Sequence, residues 1–164
     1  MIDFNEGQLI LIDKPLGKTS FQAVKHVKYN AKVKKVGHAG TLDPLATGLL
    51  IICTGKKTKT INDLMGLDKE YTGTIVLGAT TPCFDLEKPI DAHYPTEHIT
   101  EALVNETIKN FIGSIEQVPP LFSAIMVDGK RAYTLARAGE DVELKARSIT
   151  IYEFEITRFA LPEI

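Results

Sequence analysis

The stretch VGHAGTLDPLATGLLIICTG, Val36 to Gly55, sets one carboxylate, Asp43, between glycine-bearing turns and just ahead of an apolar run. A carboxylate so placed can act as a nucleophile or a general base, or it can accept hydrogen bonds from its own loop, as Asp-Pro turn openers do. Paired-carboxylate chemistry needs a second acid close by. In the thirty residues before Asp43 the only acid is Asp13, which precedes Lys14 at the end of an apolar segment. Asp43 therefore reads as a lone carboxylate among lysines.

Other chemistries fail on spacing. KPLGKTS lacks the first glycine of a phosphate loop, since Ile12 stands five residues before Gly17. TGKKT has Leu50 at that position and Lys57 where a Ser or Thr is required. His26, His38, His93 and His98 form no His-Glu-x-x-His frame and lie near no cysteine pair, which argues against a metal centre. Ser123 and Ser148 sit in no Gly-x-Ser-x-Gly elbow and have no obvious base nearby.

The elements that must position Asp43 follow from periodicity. GQLILIDKP reads as a short buried strand closed by Lys14-Pro15. KTSFQAVKHVKYNAKVKK reads as a helix capped by Thr19 or Ser20, with Phe21, Val24, Val27 and Ala31 on one face and Lys25, Lys28, Lys32 and Lys35 toward solvent. A loop from Val36 to Gly48 comes next, then a strand from Leu49 to Thr54, then a second helix over KTKTINDLMGL. KEYTGTIVLG alternates as a strand does, and TTPCFDLEKPIDAHYPTEH is a long loop. ITEALVNETIKNFIGS reads as a helix capped by Thr100, with Ala102, Leu103, Ile108, Phe111 and Ile112 in its apolar set and Gly113 at its end. Beyond it come a Pro-Pro, an Asp-Gly turn, a short helix around Tyr133 to Ala138, and an alternating strand from Ser148 to Phe159. Strands and helices mix without strict βαβ alternation, so the fold class is α+β.

A chain of 164 residues fits one domain and can bury a core without disulfides or metal. Cys53 and Cys83 do not make a disulfide framework, no secretion signal is visible, and a reducing cytoplasm is the default setting. The net charge of -2 hides a segregation. Between Lys14 and Lys59 there are ten lysines and one acid, Asp43, whereas Asp85 to Glu106 carries six acids against Lys88. A lysine-rich segment beside an acidic one suggests a surface for a polyanion, against the plainer reading of solvated helix faces.

Several of these stretches together resemble one family. LIDKPLGKTS (Leu11 to Ser20), GHAGTLDPLATG (Gly37 to Gly48), KEYTGTIVLG (Lys69 to Gly78) and QVPPLFSAIMVDGKRAYTLARAG (Gln117 to Gly139) resemble, in order, the motifs of the TruB-type tRNA pseudouridine-55 synthases. The resemblance implies a pseudouridine synthase fold, with a mixed, mainly antiparallel sheet, flanking helices and a thumb-like RNA-binding insertion at about 113–147. It implies isomerisation of a T-loop uridine of tRNA (position 55) to pseudouridine, without metal or organic cofactor, by a monomer acting on the T loop and stem. Asp43 would be the essential carboxylate, attacking the ribose C1' or opening a route through loss of the C2' proton. A base stacked in a folded loop must be flipped out to react. Tyr71 would stack on that base. His38 would fill the vacated stack or else hydrogen-bond its own loop. A positive setting would keep Asp43 ionised. Lys14 would support the loop through its backbone or charge, or else be merely solvated. Phosphate contacts would fall to Lys25, Lys28, Lys32, Lys34, Lys35, Lys130 and Arg131, and Gln117 to Arg147 would close over the T loop and order on binding.

The chain also departs from the family pattern. Phe122-Ser123-Ala124-Ile125-Met126 replaces Tyr-Ser-Ala-x-Lys, so a hydroxyl and a cation are missing. Thr80, Thr81 and Asp85 remain of a Thr-x-Thr-x-Asp-x-x-Gly-like stretch whose glycine is gone. The family continues into a motif whose arginine pairs with the catalytic carboxylate. With Ser148–Phe159 expected to want a neighbouring strand, the chain reads as a truncated catalytic portion, inactive or impaired. The rival reading is a non-catalytic RNA-binding or RNA-folding module using the same surface.

Overall fold

Leu9–Lys14 (β1) alternates as a half-buried strand should: Ile10 and Ile12 turn inward, while Leu9 and Leu11 face out. The same period carries Lys14 to the inner face. The computed structural model describes residues 3–120, 126–127, 129–131, 135, 138 and 144–164. The chain divides into two compact units, Met1–Tyr71 and Thr72–Ile164.

In the first unit Ser20–Asn30 (α1) follows β1, then Val36–Ala39 (β2) and Gly48–Thr54 (β3) complete an antiparallel sheet of order β1-β3-β2. Leu9 pairs with Cys53 and Lys14 with Gly48, while Val36 pairs with Thr54 and Ala39 with Ile51. Val24 of α1 packs on Leu50 and Ile52, and Ile10, Ile12, Ala23, Val27, Val36 and Leu42 close around them. Fully burying a Val, Leu or Ile side chain, as at Val24, Leu50 and Ile52, stabilises by about 1.5–3 kcal/mol. A 3-10 turn, Gly55–Thr60, then leads into Ile61–Met65 (α2).

The helix is shorter than its apolar spacing predicts. It ends at Asn30 because Val33, 3 % exposed, is drawn into the core. The Lys32 N–H bonds the Tyr29 carbonyl at 3.3 Å and the Val33 N–H the Lys28 carbonyl at 3.3 Å, with Lys32 at φ +47. That is a Schellman ending with lysine where glycine is usual. Lys32 and Lys35 are therefore off the helix, Ala31 is its cap, and Phe21 is exposed rather than on the apolar face. The stretch expected to be one loop from Val36 to Gly48 opens with β2. Gly37 and His38 are weak strand formers, and pairing with β3 overrides them.

In the second unit, Ala79–Thr80 (β4) pairs with Ala92–His93 (β5) inside the expected long loop. Glu101–Ile108 (α3) is capped by Thr100, whose side chain accepts from the Leu103 N–H at 3.2 Å. Val104 is its buried residue; Leu103, Phe111 and Ile112, placed in the apolar set from sequence, are all exposed. Gly113–Gln117 (β6) follows, starting at Gly113 (φ +97). Met126–Val127 (β7) pairs with Lys130–Arg131 (β8), Met126 opposite Arg131 and Val127 opposite Lys130, with Gly129 at φ +81 between them; Asp128 of the expected Asp-Gly turn lies outside the described residues. Phe122 to Ile125 and most of the predicted helix at 133–138 lie outside the described residues.

Arg147–Ile151 (β9) pairs with β6, Gly113 to Ile151 and Gln117 to Arg147. The strand expected to reach Phe159 stops at Ile151 because its partner has only five residues to pair with it. The alternating stretch Lys69–Gly78 likewise forms no regular strand. It bonds instead to the chain end and to Tyr94: the Ile75 N–H donates to the Ile164 carbonyl at 2.9 Å, the Leu77 N–H to the Pro162 carbonyl at 2.8 Å, Val76 bridges Glu163, and the Gly78 carbonyl accepts from the Tyr94 N–H at 2.8 Å. Among the described residues the sheets are all antiparallel and separate, in an α+β architecture with helices alongside.

Candidate active site

Asp43 sits on the loop that joins β2 to β3, with its side chain exposed. Both neighbours are held. Leu42 packs against the Val24–Leu50–Ile52 cluster. One hydroxyl grips its backbone twice: Ser20 Oγ donates to the Leu42 carbonyl at 3.0 Å and accepts from the Leu42 N–H at 2.9 Å. On the other side the Gly17 N–H donates to the Pro44 carbonyl at 2.7 Å. The Asp43 carbonyl accepts from the Ala46 N–H at 3.1 Å, which makes the turn an Asp-Pro opener as well. Net hydrogen-bond contributions of about 1 kcal/mol each are comparable to the ~1–2 kcal/mol cost of ordering a residue's backbone, so these clamps matter to the loop.

The clamps come from the stretch set aside as a failed phosphate loop. Thr19 caps α1 through the Gln22 N–H at 3.1 Å, and the Gln22 side chain returns the bond to the Thr19 N–H at 2.8 Å. That leaves the Ser20 hydroxyl free to turn inward, and Ser20 is 2 % exposed. Lys14, wholly buried rather than solvated, donates from Nζ to the Pro15 carbonyl at 3.1 Å and the Lys18 carbonyl at 2.6 Å. The ammonium so closes the turn whose Gly17 N–H holds Pro44. Gly17 takes φ +76, and only a residue without Cβ does so at little cost. From the sequence, Ser20 reads only as a cap and Gly17 as part of a turn feeding the helix; neither reading ties them to the Asp43 loop. The signal was there: with Thr19 capping, a second hydroxyl in the first turn needs another partner.

His38 lies on β2 opposite Ile52, half-buried, and its Nδ1–H donates to the Gly40 carbonyl. That bond leaves Nε2 as the free ring nitrogen. Tyr71, the last residue of the first unit, is 72 % exposed in an irregular segment. Lys25 and Lys28 lie on the outer face of α1, and Lys32, Lys34 and Lys35 are exposed beyond it. Lys130 and Arg131 are placed on β8. The ion pairs among the described residues are Lys56–Glu6, Lys109–Glu106 and Arg158–Glu163, so none reaches Asp43. Nor, among the described residues, do any three His, Cys, Asp or Glu side chains cluster as a metal site requires.

What results is a carboxylate whose flanks are fixed and whose oxygens face solvent. Such a group can meet a reacting atom with little reorganisation.

The model of the TruB family pseudouridylate synthases (N terminal domain) matches residues 28–164. A curated relative from Flavobacterium johnsoniae, tRNA pseudouridine synthase B, is 60 % identical, the match covering 99 % of this chain and 74 % of the relative. Its counterpart from Phocaeicola vulgatus is 59 % identical, over 99 % of this chain and 72 % of that protein. Among solved structures, a chain of a Cbf5-Nop10-Gar1 complex matches with TM-score 0.68 and 27 % identity, over 98 % of this chain but 38 % of that one. A chain of an H/ACA RNP bound to a substrate RNA containing 2'-deoxyuridine matches with TM-score 0.53 and 25 % identity, over 77 % of this chain and 35 % of its own.

Proposed function

Because the chain belongs to the TruB family of pseudouridylate synthases, we propose that it carries the catalytic loop of an isomerase that converts a uridine of tRNA to pseudouridine. The target is the T-loop uridine at position 55, and Asp43 is the carboxylate that acts on it. The observation that carries this reading is the double clamp on Leu42 and Pro44, which presents Asp43 outward from a loop tied to the core. The reaction breaks the N-glycosidic bond, turns the base and rejoins it through carbon, with no atom gained or lost. Asp43 serves it by attack at C1' or by taking the C2' proton. Lys14, Ser20 and Gly17 position that carboxylate.

Tyr71, exposed and aromatic, stacks on the extruded base. His38, pinned through Nδ1, offers its ring and Nε2 to the opened loop. Lys25, Lys28, Lys32, Lys34, Lys35, Lys130 and Arg131 take phosphates, and the segment at about 113–147 is the RNA-contacting thumb. The enzyme works as a monomer in the cytoplasm.

The test is single-turnover conversion of a T-loop uridine in tRNA, with enzyme in excess so that a slow chain still registers. Asp43→Asn should abolish product and leave tRNA affinity within about twofold, as loss of an interaction made only in the transition state does. Product formed by Asp43→Asn at the parent rate would remove Asp43 from the chemistry. Binding without product in either protein would favour the RNA-binding module instead.

A further inference from the structure

The outer face of α1 carries a pattern that the catalytic loop does not use. Phe21, Lys25 and Tyr29 follow one another at helical spacing, with Lys28 beside them and Lys32 just past the helix end. Phe21 is 61 % and Tyr29 83 % exposed, although aromatic rings of that size normally seek burial. The Lys25 ammonium lies over the Phe21 ring, 4.8 Å from its centroid. Lys25, Lys28, Tyr29 and Lys32 line one open concavity at the far end of the helix. No acid lies on α1, so nothing on the helix neutralises these cations.

Lys32 adds a second, independent mark. It stands at φ +47, the left-handed region that glycine or asparagine usually fills at a helix ending. For a residue with a Cβ this costs about 1–2 kcal/mol. A lysine in that conformation lines the same concavity as Tyr29, where glycine would bring no cation. Strain of this kind is held at functional positions more often than elsewhere.

Charge selects a polyanion, and exposed rings select one with flat faces to stack on. A single-stranded nucleic acid has both, since stacking on aromatic rings tolerates any base while cations track the backbone. The stripe also has a direction. Ser20, at the start of α1, is bonded to Leu42 beside Asp43, and α1 runs from there for about 16 Å at 1.5 Å per residue. We infer that the face formed by Phe21, Lys25, Lys28, Tyr29 and Lys32 is a track for an unpaired RNA segment adjoining the substrate nucleotide. This rests on the proposed activity toward RNA and extends its binding surface from the catalytic loop along the helix.

Three variants of the full chain test it: Tyr29→Ala, Tyr29→Phe and Lys32→Gly. Unmodified tRNA is the probe, and affinity is measured by fluorescence anisotropy across a salt series. Tyr29→Ala should weaken binding roughly tenfold with an unchanged salt slope, and Tyr29→Phe should bind as the parent does, because stacking needs the ring and not the hydroxyl. Lys32→Gly should raise resistance to urea yet lower affinity, flattening the slope of log K against log salt by about 0.7 to 0.9 for one phosphate contact. A merely structural role for Lys32 would move stability alone. Parent-like affinity for Tyr29→Ala, or an unchanged slope for Lys32→Gly, overturns the track. So does weakening by Tyr29→Phe equal to that by Tyr29→Ala, and so does failure of the parent chain to bind tRNA. Asp43→Asn tests the catalytic reading through loss of product at parent-like affinity, so failure of that reading stays distinguishable from failure of this one.

Discussion

At the scale of single residues, a small hydroxyl does more for the candidate site than any charge near it. Ser20 satisfies both backbone groups of Leu42, and no other side chain among the described residues holds that position. Ser20→Ala leaves the partly buried Leu42 N–H and carbonyl without that partner. It should lower unfolding free energy by about 1–3 kcal/mol in urea titrations. Freed flanks also let Asp43 wander, and misplacement by an ångström can cost about a hundredfold, so single-turnover conversion should fall by tenfold or more. A parent-like rate in a less stable protein would show the clamp to be structural only. Cys53 makes a different case. It is fully buried, and burial pushes its thiol up, more than the Thr60 hydrogen bond and the Lys57 charge pull it down. The folded chain therefore keeps this proton at pH values where the unfolded chain loses it. Stability linked to Cys53 is complete below its unfolded value of about 8.5 and declines as pH rises beyond that. Urea unfolding at about pH 8 and pH 10 should show that decline, and Cys53→Ala should make it shallower.

At the scale of elements, α1 joins the sheet to the catalytic loop. Its start was legible because capping is local: Thr19 and Gln22 sit three residues apart and satisfy each other's backbone partners. Thr19→Ala should cost about 1 kcal/mol in unfolding free energy while slowing turnover less than Ser20→Ala does. If the two variants slowed conversion equally, the helix start as a whole, and not the Leu42 clamp, would set the position of Asp43. The end of α1 was not legible. Lysines and alanine continue the helical pattern past Asn30, and only the pull of the buried Val33 explains the stop. Strand lengths failed for a related reason. The stretch from Ser148 to Phe159 alternates throughout, but a ladder lasts only as long as its partner, and β6 ends the pairing at Ile151.

For the whole molecule, a net charge of -2 says little about its partners, because lysines gather before Lys59 and acids after Asp85. If the lysine-rich part meets tRNA, affinity should fall steeply with salt in spite of the negative total. About four phosphate contacts predict a loss of roughly a hundredfold between 50 and 200 mM. Affinity insensitive to salt in filter-binding measurements would contradict that use of the lysines. What near neighbours settle could be read along the chain: a cap at Thr19 or Ser20 and another at Thr100, the strand from Leu49 to Thr54, and Asp43 as the lone acid of its region. What joins distant residues could not be read that way. Ser20 reaches Leu42 across 22 positions, Gly17 bonds Pro44, and β2 becomes a strand because β3 lies beside it. The physical reason is that a cap or a turn satisfies backbone groups within a few residues. A clamp or a ladder satisfies them across the fold, where no periodicity in the chain marks the partner.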